Sequence, residues 1–322
     1  MTKLVTASSA TLKFLATAAM AVAVTCSVGL ASAVRAAEVR HQDGEHFNPT
    51  GKGFGEHDPS GETARRAAAF ATTSTNGINY HGGPVMLNKV NLYYIWYGAW
   101  NFTNDTTKTL LTTFGSYIGG TPYFNINTTY YNASNQAVSG QVGFVNSITD
   151  TGSQGTTLSD NAVQRVVAAA LSSKALPTDP NGVYFVLTSK EIKESSGFCT
   201  QYCAWHTHGS INGQDIKYGF VGNPLQCPSA CSAQTVSPNS NVGADGMANL
   251  IAHELSESVT DPDLNAWFDT KGNENADKCA WTFGTTTKLT SGALYNVTFG
   301  SLHWLIQQIW ENAAGGSCKL AK

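Results

Sequence analysis

Residues 245–269 read DGMANLIAHELSESVTDPDLNAWFD, and the rest of the chain is best understood from them outward. Asp245 is a good helix N-cap ahead of an apolar-periodic run. Pro262 disfavours helical geometry at Asp261, so the helix is expected to stop near Thr260. At about 100° per residue, Ala244, Ala248, Ile251, Ala252, Leu255 and Val259 share one apolar stripe that would pack on a core. His253 and Glu257 are four apart, hence on one face, roughly opposite that stripe. Two ligating side chains one helical turn apart can hold a metal ion, and Glu254 beside them could act on a metal-bound water. The same residues also suit an amphipathic helix with a polar outer face. The spacing is His-Glu-x-x-Glu, where the better known zincin pattern has a second histidine. The extra carboxylate makes a harder site.

A catalytic zinc needs a third protein ligand and one open position. Three sources compete. Glu274, in Gly272-Asn273-Glu274-Asn275-Ala276-Asp277, follows Glu257 by 17 residues and is the preferred ligand, as a downstream acid on a returning element. Asp261 lies one turn past Glu257 but could instead stabilise the turn at Pro262. His206 and His208 would share a face if their stretch is extended, and could also orient substrate or stabilise an oxyanion. Asp277 reads as a supporting partner of a ligand or as a loop acid. Other nucleophile systems fare worse: there is no Gly-x-Ser-x-Gly elbow, and Cys203 near His206 is better explained as a disulfide partner. A glycosidase carboxylate pair would leave no local trace in sequence.

With 322 residues and 42% hydrophobic content, the chain can bury a sizeable core. Only 13% of residues are charged, which suits a secreted, loop-rich protein. No basic patch stands out, so nucleic acid is not an expected partner. Residues 14–30, FLATAAMAVAVTCSVGL, follow Lys3 and Lys13 and read as the apolar core of a signal peptide. Cleavage is expected after Ala33 or Ala36; removal of residues 1–36 would take the net charge from −3 to −6, because Lys3, Lys13 and Arg35 leave with no acid. The competing expectation is an uncleaved anchor; no later segment could span a membrane. Cys26 leaves with the signal. The six remaining cysteines, Cys199, Cys203, Cys227, Cys231, Cys279 and Cys318, suggest three disulfides among fifteen pairings. Five Asn-x-Ser/Thr sequons, at Asn101, Asn104, Asn127, Asn132 and Asn296, permit N-glycosylation in a eukaryotic secretory route.

Residues 37–79 are polar, without apolar periodicity, and are expected to form a flexible leader or pro-region. The folded domain is expected over 80–322. Val90 to Trp100, Gln141 to Ile148, Val183 to Leu187 and Lys217 to Val221 read as strands. Asp105 to Ile118, capped by Asn104 or Asp105, and Leu158 to Leu171, capped by Ser159 or Asp160, read as helices. A last apolar helix is expected at Leu302 to Trp310. Strands and helices intermix without the regular crossovers of a doubly wound sheet. The expected class is therefore α+β or mixed α/β.

Several separated stretches resemble one family. They are Tyr80-His81-Gly82-Gly83-Pro84-Val85, Ile95-Trp96-Tyr97-Gly98-Ala99-Trp100, Gly197-Phe198-Cys199 to Cys203, Val221-Gly222-Asn223-Pro224 to Gln226-Cys227-Pro228, and Asp245-Gly246-Met247. Together, over about residues 80–318, they resemble the EXORDIUM or phosphate-induced protein family. The resemblance implies a secreted apoplastic or cell-wall protein, linked in plants to growth and to nutrient or carbon status, with no settled biochemical activity. The chain departs from the plant pattern at its centre. There His253-Glu254-Leu255-Ser256-Glu257, Thr260-Asp261-Pro262 and the Glu274 to Cys279 segment look like microbial secreted proteins with a metallopeptidase-like signature.

The leading expectation is a secreted protein with a zincin-like mixed sheet, an active-site helix and disulfides. It would act as a zinc-dependent peptidase on a peptide or cell-wall substrate. His253, Glu257 and Glu274 would bind zinc, with Asp261, His206 and His208 as weaker candidates, and Glu254 would be the general base. The alternative is a non-catalytic apoplastic protein of growth signalling or binding, with the same residues structural. A carbohydrate-active cell-wall protein is a third and weaker possibility.

Overall fold

Val90–Tyr97 (β1), VNLYYIWY, is rich in aromatic and β-branched residues, and seven of its eight residues are buried. Burial on both faces is the mark of an inner strand between layers. The computed structural model bears this out. It describes residues 76–322, together with a short antiparallel pairing of Val39–Arg40 with His46–Phe47. The expected signal peptide and most of the expected leader lie outside the described residues.

β1 lies in a mixed five-stranded sheet with Val142–Asp150 (β2), Gly182–Thr188 (β3), Ala204–Ile211 (β4) and Gln214–Val221 (β5). Their spatial order is β2-β1-β3-β5-β4. The first four in that order run parallel, with Tyr94 between Ser147 and Phe185, and Phe220 opposite Val186. β4 closes the far edge as the antiparallel half of a hairpin, Trp205 opposite Phe220 and His206 opposite Gly219. At the other edge, β2 carries a register shift opposite Leu92 and Tyr93 and leaves Val145 exposed. A bulge there twists the unpaired edge away from other strands.

Two helical crossovers connect the parallel strands, Thr107–Tyr117 (α1) from β1 to β2 and Asp160–Ser172 (α2) from β2 to β3. They run in opposite directions across the sheet, which at constant right hand places them on opposite faces. More regular crossover geometry is therefore present than the sequence suggested, but it stops at β3. The class is mixed α/β, stabilised by disulfides Cys199–Cys227, Cys203–Cys231 and Cys279–Cys318.

Val242–Thr260 (α3) is the long helix, packed against α1, β4 and β5. It begins one turn earlier than Asp245 suggested. Asn241 is its N-cap, accepting from the Ala244 N–H at 3.0 Å. The Asn241 amide also donates to Asp105, Thr106 and Thr107 at the start of α1, so one side chain ties two helix starts together. Asp245 lies in the first turn and accepts from Ser237 Oγ and Asn239 Nδ2. At the other helix starts, Ser159 caps α2, and Asp105 accepts from the Thr107 N–H at 2.8 Å.

The competing reading of an amphipathic helix with a solvated outer face is not met: sixteen of its nineteen residues are buried. Chain segments on both sides account for this. Residues 80–86 run beside its end, where the Met86 N–H bonds the Val259 carbonyl. Gly83 is needed there, because a Cβ would lie 1.7 Å from Asn265 Oδ1. β1 ends at Tyr97 rather than Trp100 for a similar reason. Gly98 turns at φ +103°, and a Cβ on it would meet Ser189 Oγ at 2.0 Å.

The helix expected at 302–310 does not form. Leu302–Trp304 pairs with Val297–Phe299, and Ile309–Glu311 pairs with Ser317–Lys319. Side chains take the place of helical partners for the backbone between them. Asn296 Oδ1 accepts from the Ile306 N–H and Asn249 Oδ1 from the Gln307 N–H, at 3.0 and 2.8 Å. Tertiary hydrogen bonds and aromatic packing override an apolar spacing that a helix would also satisfy.

Candidate metal centre

Three of the residues at the centre come from α3. His253, Glu254 and Glu257 lie within little more than one turn, pointing toward β4 and the loop after residue 269. That loop is brought back by Asp261, whose Oδ1 accepts from the Asn265 and Ala266 N–H groups at 2.6 and 2.5 Å. Asp261 thus shapes the turn after the helix. The returning chain ends in a short 3-10 turn, Asp277–Cys279, anchored through Cys279 to Cys318.

The turn delivers Asp277 to His253. His253 Nε2 is 3.2 Å from Glu257 Oε1 and 3.5 Å from Asp277 Oδ1. The Asp277 N–H in turn donates to Glu257 Oε1 at 2.9 Å. A tetrahedral ion with bonds of about 2.0–2.2 Å separates its ligand atoms by about 3.3–3.6 Å. The His253–Asp277 separation falls in that range and the His253–Glu257 separation is just below it, and one imidazole with two carboxylates is a donor set zinc accepts. His253, Glu257 and Asp277 could therefore hold a metal ion, each offering one atom within 4.8 Å of the others.

A second group lies deeper. His206 on β4 has Nε2 at 3.2 Å from Glu274 Oε2, and with Glu257 these form another triad within 4.8 Å. His206 is 1% exposed, and Glu257 and Glu274 are fully buried. Glu257 therefore belongs to both groups. Glu274 is brought beside His206, and the acid next to His253 is Asp277. The two acids are three residues apart in one loop; the sequence located the segment but preferred Glu274 as the ligand beside His253, and the structure brings Asp277 there instead. His208 shares the strand face of His206 but stands elsewhere, with Nδ1 2.8 Å from Asp215 and 3.8 Å from Asp263. Lys217 contacts both of those carboxylates, so a cation already occupies that cluster.

His253, Glu254 and Asp277 line a partly open pocket with Cys203, Leu250 and Trp281. Glu254 is 4% exposed and adjoins the His253 triad without belonging to it. Burial alone would lower the His253 pKa. The negative charge of Glu257, hydrogen bonds to Asp277 and Glu257, and the charge of Glu254 outweigh it and hold the pKa well above 6.5. An imidazole facing carboxylates in this way is an electrostatic site for a cation, supplied by a proton when no metal is bound.

A family model described as the phosphate-induced protein 1 conserved region matches residues 78–320. Protein EXORDIUM-like 3 of Arabidopsis thaliana is 30% identical over 275 residues, covering 73% of this chain and 80% of the relative. Protein EXORDIUM-like 5 of the same plant is 29% identical, covering 73% and 75%. Protein PHOSPHATE-INDUCED 1 of Nicotiana tabacum is 25% identical, covering 64% and 72%. No solved structure matches.

Proposed function

This chain belongs to the phosphate-induced protein 1 family, and from that premise we propose that it is an extracellular member with a zinc-dependent peptidase site. The observation that carries the proposal is the meeting of His253, Glu257 and Asp277 at ligand-to-ligand distances on the wall of an accessible pocket. A mixed sheet with the His253 helix packed on its antiparallel edge hairpin supports a zincin-like architecture. Three disulfides and EXORDIUM-named relatives support an extracellular location. Among the described residues no helix is long and apolar enough to cross a membrane.

The division of labour follows from position. His253, Glu257 and Asp277 would hold the ion, and Glu274 with His206 would fix Glu257 from behind. Zinc supplies Lewis acidity, making a water acidic near neutrality. Glu254, which lines the pocket beside His253, would serve as the general base, holding a proton taken from water and passing it to the departing amine. The test is metal content of the purified mature protein beside His253→Ala, then a peptide-library screen with Glu254→Gln as control. About one zinc per chain is expected, lost in His253→Ala, with cleavage lost in Glu254→Gln. Zinc-loaded protein whose cleavage survives Glu254→Gln would rule out this mechanism.

A non-catalytic reading draws on the burial of His206, Glu257 and Glu274. An ion among them would fasten α3 to β4 and to the 274–277 loop without touching a substrate. Retained metal with no cleavage of any peptide would favour that reading.

A further inference from the structure

Four cysteines form one cluster. Cys199–Cys227 and Cys203–Cys231 tie the turn ahead of β4 to the short helical turn Pro228–Cys231. The two bridges touch each other, with Cys227 Sγ 3.6 Å from Cys231 Sγ. They differ in access. Cys199 and Cys227 are half-buried, whereas Cys203 is 6% exposed and Cys231 is fully buried. A reagent in solvent therefore meets Cys199–Cys227 first. Cys199 also holds a backbone φ of +71°, which a residue with a side chain adopts only where its surroundings impose it. Its bridge to Cys227 is one of those surroundings, so the backbone at Cys199 is freer once that bridge opens.

Disulfides exchange when a thiolate attacks one of their sulfurs, and the sulfur attacked decides which thiol leaves. A thiolate on Cys227 stands against Cys231 of the neighbouring bridge. Attack there joins Cys227 to Cys231 and expels Cys203. The product fits the backbone already present. The Cys231 N–H bonds the Cys227 carbonyl at 3.0 Å, so the two residues are one helical turn apart. That spacing puts their Cα atoms about 6 Å apart, within the range of about 4.4–6.8 Å that a disulfide spans.

We propose that Cys199–Cys227 is a modification site for a dithiol reductant, and that Cys227 relays the electron pair to Cys203. In the first step the dithiol reduces Cys199–Cys227 and becomes a disulfide itself, leaving a thiol on Cys199 and a thiolate on Cys227. In the second, the Cys227–Cys231 bond forms, the Cys203–Cys231 bond breaks, and Cys203 takes the electron pair and a proton. The two hydrogens of the dithiol end on Cys199 and Cys203. Two bridges between segments become one bond within a segment, so a single electron pair severs both links. Cys203 lines the His253 pocket and directly precedes β4, which carries His206. The redox state of the outer bridge thus reaches the wall of the candidate metal site, whether or not that site cleaves peptides.

The experiment treats folded mature protein with limiting dithiothreitol, traps free thiols with N-ethylmaleimide, and maps the labels by mass spectrometry of peptides kept unreduced. In molecules doubly labelled within the cluster, the labels are expected on Cys199 and Cys203, with Cys227 bonded to Cys231. Labels on Cys199 and Cys227, or a cluster that takes no label until the protein unfolds, would overturn the proposal. Two variants test the relay without reductant. Cys199→Ser leaves Cys227 as the free thiol, and label should be found on Cys203 as well as on Cys227. Cys227→Ser removes the attacking sulfur, and label should stay on Cys199. Label confined to Cys227 in Cys199→Ser refutes the relay. Label on Cys203 in both variants refutes it too, since Cys203–Cys231 would then open without Cys227.

Discussion

Asp277 contacts Glu257 and His253 at once, donating its N–H to Glu257 Oε1 at 2.9 Å with its own Oδ1 3.5 Å from His253 Nε2. One residue of the returning loop thus orients the carboxylate on the helix and stands where a third ligand would. Glu274, three residues earlier, faces His206 instead. The two acids should therefore differ when removed. Asp277→Ala is expected to weaken zinc binding by more than 100-fold, and Glu274→Gln by about 10–100-fold, the range for a residue that supports a ligand. Competition with a chelator of known affinity measures both. Equal losses, or a larger loss for Glu274→Gln, would move the ion to the His206 group.

What sequence could and could not reveal here follows from the range of each signal. The centre of α3 was legible because a four-residue spacing is a local property of a helix. The strands at β1, β3 and β5 were legible because aromatic and β-branched runs have few other uses. Asp277 was harder, since its place depends on the turn at Asp261 and on the Cys279–Cys318 bridge, neither of which is local. The 302–310 segment misled for a related reason. Asn296 and Asn249 satisfy its backbone from distant positions, so its apolar spacing did not decide its conformation. The burial of α3 likewise depends on residues 80–86 and 269–281 packing over a face that the helix pattern alone assigns to solvent.

The protonation of His253 makes zinc uptake pH-dependent. Its folded pKa is held well above 6.5, so in the metal-free protein the imidazole is charged at neutral pH. Coordination needs it neutral, and uptake at pH 7 should release about one proton. Titration calorimetry in two buffers of different ionisation enthalpy would count it. The stability effect has a definite sign. A histidine with a raised folded pKa contributes fully below its unfolded value, and the contribution is lost as pH rises through the folded value. Metal-free wild type should thus lose stability relative to His253→Ala as pH climbs above about 6.5. Uptake without proton release would show that His253 is already neutral.

The sequons divide by their surroundings. Asn101 and Asn104 are exposed, whereas Asn127 is fully buried. Asn127 Oδ1 accepts from Asn275 Nδ2 at 2.8 Å, in the loop that carries Glu274 and Asp277. Asn296 Nδ2 donates to the Phe283 and Ile306 carbonyls at 2.8 and 2.7 Å. A glycan is attached through Nδ2, which in Asn127 is buried 3.4 Å from Ser256 Oγ and in Asn296 makes both of its bonds, so neither could house one. Protein secreted in folded form by a eukaryotic host should carry glycans at Asn101 or Asn104 and none at Asn127 or Asn296. Mass spectrometry of glycopeptides decides this, and an occupied Asn127 in folded material would contradict the packing.

Two disulfides cross-link the same pair of segments, Cys199–Cys227 and Cys203–Cys231, each with a sequence separation of 28. That arrangement makes their contributions unequal to the sum of independent bridges. With one bridge intact, the other closes a ring of only about ten residues, worth about 2.7 kcal/mol by loop entropy. The last bridge removed closes the full loop, worth about 3.6 kcal/mol. Cys203→Ala with Cys231→Ala should therefore cost about 3 kcal/mol, and loss of all four cysteines about 6 kcal/mol. The first pair removed also releases Cys203 from the wall of the His253 pocket. Denaturant unfolding of the two variants tests the energies, and zinc affinity of the Cys203→Ala, Cys231→Ala protein tests the coupling. If the first pair costs as much as the second, the bridges do not share a loop in the way the structure places them. If zinc affinity is unchanged, the pocket wall is held by packing of β4 on α3 rather than by the disulfide.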